Sequence, residues 1–296
     1  MAANYWASSQ RQHWQFTREK LAEIRNKLDD SDKDAVKLYP LPERRHLSIY
    51  FNIQIVRLGR RMQIRQQALA TAQLYLRRFY TKVPIRDTNP YLVLATCVYL
   101  ACKMEECPQH IRVVAGEART FWPEFITGEI GKLAECEFWV ISEMNSYLIV
   151  HHPYRTLQDL GPQLQLTPEE TSQSWNVIND SYLTDLPMLY PPHIIALTAI
   201  FLSVVLKTSL HATTSSAAAA AVAAATSGSG GNLSSGPGAQ SRTVMLIEWY
   251  AESGIDMDSI IECTQEIISL YEVWDNFADK VCKDQIGRMI KQRGLS

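Results

Sequence analysis

Six cysteines, seven histidines and 31 acidic residues are the groups from which a metal or catalytic centre would have to be built. The tightest cluster is Cys102, Cys107 and His110, three side chains of zinc-ligand type, but no CxxC occurs and no paired second half follows. His151-His152-Pro153 has neither a carboxylate nor a cysteine motif in step with it, so it reads as a structural linker. The glycine-rich segment Gly228–Gly238 lies in low complexity, without a preceding strand or a phosphate-facing lysine, and is no P-loop. H-E-x-x-H, G-x-S-x-G and the kinase signatures are absent. We therefore expect no catalytic residues, no metal and no cofactor. Two charged sets remain. Arg57, Arg60, Arg61, Arg65, Arg77, Arg78, Lys82 and Arg86 form a phosphate-binding face, a solvated or acid-pairing face, or a clamp on a phosphorylated segment. Lys103, Glu105 and Glu106 close an otherwise apolar stretch.

That stretch, Asn89–Glu106, organises the chain. Thr88-Asn89-Pro90 is a turn with proline at a tolerated first helical position. From Leu92 to Ala101 nearly every residue is apolar, so no amphipathic stripe can be drawn, and a helix apolar all round must be enclosed by protein. Other helical patterns surround it: Arg44–Met62, Ile64–Tyr80, Gln109–Phe121 and Thr127–Met144, the last with Thr127 as a candidate cap. An earlier helix, Asn4–Leu28, has Ser8 or Ser9 as its cap, and the aromatics Tyr5 and Trp6 near its start either cover an edge of the bundle or dock on a partner.

The second half repeats the first at a constant offset of 102, since Pro90 falls on Pro192 and Leu92, Thr96 and Leu100 on Ile194, Thr198 and Leu202. A second apolar helix, Pro192–Leu206, thus centres a second bundle with Tyr154–Leu160, Thr167–Asp185, Ser241–Glu252 and Met257–Phe277. Thr167-Pro168-Glu169-Glu170 is a helix start: cap, first-turn proline, then acids. Between Ser209 and Ser241 the composition is Ala, Ser and Gly, read as a disordered insertion. The expected organisation is all-α: segment 1–41 with a helix, tandem five-helix bundles at 42–146 and 153–277, and a tail at 278–296.

A net charge of −2 argues against a dedicated nucleic-acid binder. The N-terminus lacks a signal-peptide pattern, and the longest apolar run, Ile194–Leu206, is short of the ~20 residues needed to span a bilayer. A soluble, intracellular binding module is expected. The cysteines sit mostly in apolar helical patterns, as reduced thiols do.

With the repeats laid out, the chain resembles the cyclin family, and within it the branch serving the kinase module of the RNA polymerase II Mediator complex. The carrying residues are Asn4-Tyr5-Trp6, Arg65-Gln66-Gln67, Arg78-Phe79-Tyr80, Leu100 through Glu106, Glu135-Cys136-Glu137-Phe138, His152-Pro153-Tyr154-Arg155, Asn179-Asp180 and Tyr190-Pro191-Pro192. The resemblance covers nearly the whole chain outside Ser209–Ser241, which looks like a fungal elaboration, and the extreme C-terminus.

It implies two cyclin boxes and a partner, the cyclin-dependent kinase of the Mediator kinase module, whose αC helix would pack on the first box. Lys103 matches the family's docking lysine, with Cys102 where serine is commoner, Glu106 beside it, and Glu135 matching the partner glutamate on the fifth helix. Trp6, Trp175, Asn179, Asp180 and Tyr271 would form a groove for another Mediator subunit. Arg45-His46-Leu47-Ser48-Ile49 departs from the substrate-docking patch of cell-cycle cyclins, which favours a transcriptional, nuclear role. The implied function is kinase activation by a regulatory subunit with no enzymatic activity, no membrane association and no direct nucleic-acid binding. The alternative is a helical repeat protein of the general-transcription-factor kind, which would bind promoter DNA with a steep salt dependence.

Overall fold

In the computed structural model, which describes residues 4–204 and 237–295 (side chains only from 244 in the second stretch), every regular element is a helix among the described residues. No described helix is long and apolar enough to cross a membrane. The chain divides into two units, one of residues 1–152, 181–191 and 267–296, the other of 153–180 and 192–266.

The first unit opens with a 3-10 turn, Tyr5–Ala7, and a short helix α1 (Ser9–His13), whose cap is Ser8. The expected single helix over Asn4–Leu28 is broken at Trp14. Trp14 turns into the core, the Phe16 N–H donates to the Met188 carbonyl at 2.8 Å, and Thr17 caps a new helix, α2 (Arg18–Ser31). Asp32 then caps α3 (Lys33–Leu38).

There follow α4 (Arg44–Arg61), α5 (Gln66–Phe79), α6 (Pro90–Met104), α7 (Ile111–Phe121) and α8 (Ile130–Glu143). Asn89 caps α6 and Pro90 occupies its first turn, as the sequence demands. Eleven of the fifteen α6 residues are buried, and α4, α5, α7 and α8 all pack against it. α8 starts three residues after Thr127, which caps nothing, because Gly128 takes a left-handed φ of +80° and turns the chain first.

The second unit contains α9 (Pro153–Gln163), α10 (Pro168–Ser181) up to Asp180, and α12, helical over 192–204. α11 (Leu186–Leu189) belongs to the first unit. Thr167 and Glu170 make a reciprocal capping box: the Thr167 N–H donates to the Glu170 carboxylate at 2.8 Å, and the Glu170 N–H to Thr167 Oγ1 at 3.2 Å. α12 begins at Pro192 and buries Ile194 through Leu197, Ala199, Ile200, Leu202 and Val204, the counterpart of α6. Tyr250, on α13 (Pro237–Glu252), donates to the Leu197 carbonyl at 2.6 Å. α13 starts four residues before Ser241, so the helix takes in the end of the expected insertion, whose remainder up to residue 236 lies outside the described residues. α14 (Met257–Asp275) passes from the second unit into the first at residue 267.

The expected tail is a helix, α15 (Asp279–Arg293), ended by Gly294 in the left-handed conformation. Cys282, Ile286, Met289 and Ile290 join the same buried core as Tyr50 of α4 and Tyr91 of α6. Gly287 lies so close to Phe125 that an added Cβ would stand 3.0 Å from the ring. α15 therefore covers α4.

Candidate functional site

The charged end of α6 is shaped by how that helix stops. The Glu105 N–H closes on the Ala101 carbonyl at 2.9 Å, and the Cys107 N–H reaches back to the Cys102 carbonyl at 3.0 Å. That closure needs a left-handed residue between them, and Glu106 supplies it at φ +52° although it is not glycine. Glu106 is exposed.

Lys103 sits on the last turn. Its ammonium pairs with the Glu137 carboxylate of α8 and lies 4.6 Å from the centroid of the Tyr99 ring. Lys103 thus pairs with Glu137, while Glu135, which the resemblance sets beside Lys103 as a kinase contact, is exposed two residues earlier. The reason is helical phase: α8 turns Glu137 inward between Cys136 and Val140 and leaves Glu135 outside. The Glu137 side chain is 12% exposed and that of Lys103 39%, so the lysine keeps N–H capacity toward an incoming group. Beside them Phe138 is 76% exposed, and Trp139 shows one edge while its other packs edge-on to Phe79 at 5.1 Å. A half-buried ion pair next to an exposed aromatic ring is suited to binding a helix with both polar and apolar contacts.

A relay of side chains backs this end, and sequence reasoning missed it. Buried His152 contacts Tyr182 through Nδ1 and Thr71 through Nε2 at 2.7 Å; Thr71 donates to Glu105 Oε1 at 2.5 Å and Gln67 to Glu105 Oε2 at 2.8 Å. One proton arrangement satisfies every member: Tyr182 donates to Nδ1, neutral His152 donates from Nε2 to Thr71, and Thr71 to Glu105. Burial pushes the His152 pKa down against the pull of Glu105, which keeps the ring neutral. Burial alone would raise the Glu105 carboxyl, but nearby His152 and the hydrogen bonds from Thr71 and Gln67 outweigh it and hold the pKa below the usual range. The histidine is structural, as its sequence setting implied.

Among the second set, Trp6 is 61% exposed and Tyr271 40%, both in the first unit. In the second unit Trp175 packs on Tyr154 with centroids 4.3 Å apart, and Asn179 accepts the Tyr154 hydroxyl at 2.8 Å. Asp180 is half-buried.

The arginine run is no single face. Arg78 is fully buried, its guanidinium 5.2 Å from the Trp14 ring centroid and donating to the Tyr147 carbonyl. Arg77 pairs with Asp185 at 3.0 Å and Arg86 with Asp29 at 3.5 Å, while Arg61 meets Glu117 at 3.2 Å. No group of three metal-ligating side chains gathers among the described residues. Burial, with Cys107 beside it, pushes the Cys102 thiol up to about 12, and His110 caps α7 through Nδ1.

The profile described as "Cyclin, N-terminal domain" matches residues 13–133. The RNA polymerase II holoenzyme cyclin-like subunit of Aspergillus oryzae is 57% identical, covering 100% of this chain and 99% of the relative. That of Aspergillus fumigatus is 58% identical with the same coverage. Among solved structures, a chain of the CAK complex of Chaetomium thermophilum superposes with a TM-score of 0.69 at 19% identity, over 98% of this chain and 88% of that one. A chain of the yeast TFIIK complex does so at 0.64 and 19%, over 89% and 100%. Both share the fold. The chain belongs to the cyclin family, in the group of RNA polymerase II holoenzyme cyclin-like subunits.

Proposed function

We propose that the chain is a regulatory subunit of the cyclin C type, which binds and activates a Mediator-associated cyclin-dependent kinase and so regulates RNA polymerase II transcription in the nucleus. The observation that carries this is the Lys103–Glu137 pair beside exposed Phe138, on a fold built around α6. The names of the relatives support the polymerase context.

The chain acts without chemistry of its own. A protein kinase transfers phosphate only when its αC glutamate meets the β3 lysine and its DFG aspartate is placed. A cyclin that binds the αC-in state more tightly than the αC-out state shifts that population by the difference in affinity. Lys103 and Glu137 would hold the end of αC by hydrogen bonds, Phe138 would bury its apolar side, and Glu106 and Glu135 would flank the contact. Trp6, Trp175, Asn179, Asp180 and Tyr271 are proposed contacts for another Mediator subunit.

Four variants test the kinase contact by co-purification from nuclear extract. Lys103→Glu should lose the kinase, with association at least tenfold weaker. Glu137→Lys should do the same while Glu135→Lys has a smaller effect. The swap Lys103→Glu with Glu137→Lys restores the internal pair; if it also restores the kinase, the pair is only structural and the docking role fails.

A further inference from the structure

Five of the six cysteines are buried, and Cys107 is the one that is partly exposed. It stands just past the end of α6, and the way that helix stops brings it onto Cys102. The closure is of the Schellman kind: the Cys107 N–H reaches the Cys102 carbonyl at 3.0 Å across Glu106, whose φ of +52° reverses the chain. The two residues joined in this way commonly set an apolar contact against each other, and here both positions are cysteine. Their thiols share a hydrogen bond. Backbone closure and side-chain contact thus hold two sulfurs together within one turn, the juxtaposition that a disulfide requires.

The two thiols differ as the members of an oxidisable pair must. The sulfur that meets the oxidant has to be reachable, while the one that resolves the product has only to be close. Cys107 is reachable from solvent, and Cys102 is fully buried. Burial keeps the Cys102 thiol protonated at neutral pH, which leaves the first attack to Cys107. Cys97, Cys136, Cys263 and Cys282 are buried, and buried thiols in apolar surroundings are inert.

We propose that Cys102 and Cys107 are a modification site, a dithiol that hydrogen peroxide converts reversibly into a disulfide within the chain. The Cys107 sulfur attacks the O–O bond and keeps one oxygen as its sulfenic acid, and the departing hydroxide takes the thiol proton and leaves as water. The Cys102 sulfur then attacks the Cys107 sulfur. The S–S bond forms, the S–O bond breaks, and the sulfenic hydroxyl leaves with the Cys102 proton as a second water. The two sulfurs together lose two electrons, and the peroxide is reduced to two molecules of water. Two equivalents of an external thiol reverse the change and leave as their own disulfide. The bridge fixes the left-handed turn that ends α6. Its chemistry needs only the free chain, so its test and that of the kinase contact succeed or fail separately.

The full chain is treated with excess hydrogen peroxide, its remaining thiols are blocked with N-ethylmaleimide, and it is digested with trypsin without reductant. Trypsin cuts after Lys103, between the two cysteines, so mass spectrometry reads the bridge as peptides 87–103 and 104–112 joined together. The joined pair should form in wild type, vanish with dithiothreitol, and fall at least tenfold in Cys107→Ser. Peptide 87–103 also holds Cys97, and its fragmentation should place the bridge at Cys102, a reading that stands even if a variant fails to fold. Cys102→Ala should lose the pair and gain several-fold in dimedone labelling of Cys107, because its sulfenic acid is no longer resolved. Absence of the joined peptides from treated wild type overturns the proposal. So does a bridge at Cys97, an undiminished yield in Cys102→Ala, or a Cys107 bridge between two chains that runs as a dimer on a non-reducing gel.

Discussion

Glu105 takes hydrogen bonds from two side chains and lies 3.6 Å from a third, His152, and the protonation of this set ties stability to pH. The folded-state pKa of His152 lies below its ordinary value of 6.5, so the unfolded chain takes up the proton first as pH falls. Its contribution is therefore present above about pH 6.5 and is lost on acidification. Glu105, also depressed, contributes above its unfolded pKa and loses that contribution as pH falls through the folded one. Both act in the same direction. The melting temperature of the wild type should fall from pH 7 to pH 5, and His152→Gln should flatten that fall, because glutamine has no proton to take up when the chain unfolds. An equally steep fall in the variant would place the titrating group elsewhere. Lys103 was legible in the sequence because a charge at the end of an apolar helix is conspicuous. The acid that pairs with it inside the chain was not, because in Glu135-Cys136-Glu137 only the phase of α8 against α6 turns Glu137 toward Lys103. The His152 relay was illegible for a similar reason, as Thr71, Glu105, His152 and Tyr182 are far apart in the chain and no short motif joins them.

Among the elements, α6 announced itself: turn, first-turn proline and uninterrupted apolar run each appear in the structure. α15 did not. Its buried residues Cys282, Ile286, Met289 and Ile290 recur at helical spacing, but Lys280, Lys283, Asp284, Arg288 and Lys291 between them give the segment the composition of a tail. The break at Trp14 was also hidden, because Thr17 is an ordinary cap only if the chain turns before it. Covering α4 makes α15 part of the core. Ile286→Ala should destabilise the protein by about 2–5 kcal/mol in urea unfolding, the range for emptying a buried isoleucine site. Lys283→Ala, on the exposed side, should stay within about 0.5 kcal/mol of wild type. The same cover lies over the helix whose N-terminal residues already departed from the cell-cycle substrate patch.

At the scale of the molecule, the repeat at offset 102 was the most legible feature, since α6 and α12 both begin at a proline and both bury their apolar run. The Ala/Ser/Gly segment interrupts the second copy and carries few large apolar side chains, Leu210, Val222 and Leu233. Deleting residues 209–236 should change the melting temperature by less than about 2 °C, because loop-closure entropy varies only slowly with length. A larger fall would mean the segment contributes packing.

The placement of α15 sets a schedule for synthesis. α4 ends at Arg61 and α15 starts at Asp279, 218 residues later. At ~5–20 residues per second, the ribosome needs roughly 10–45 s to make the intervening chain. Until then the α4 surface that α15 will cover has no occupant, so the nascent first unit stays incomplete and open to chaperones while the second is translated. The first unit to be synthesised is the last to be finished.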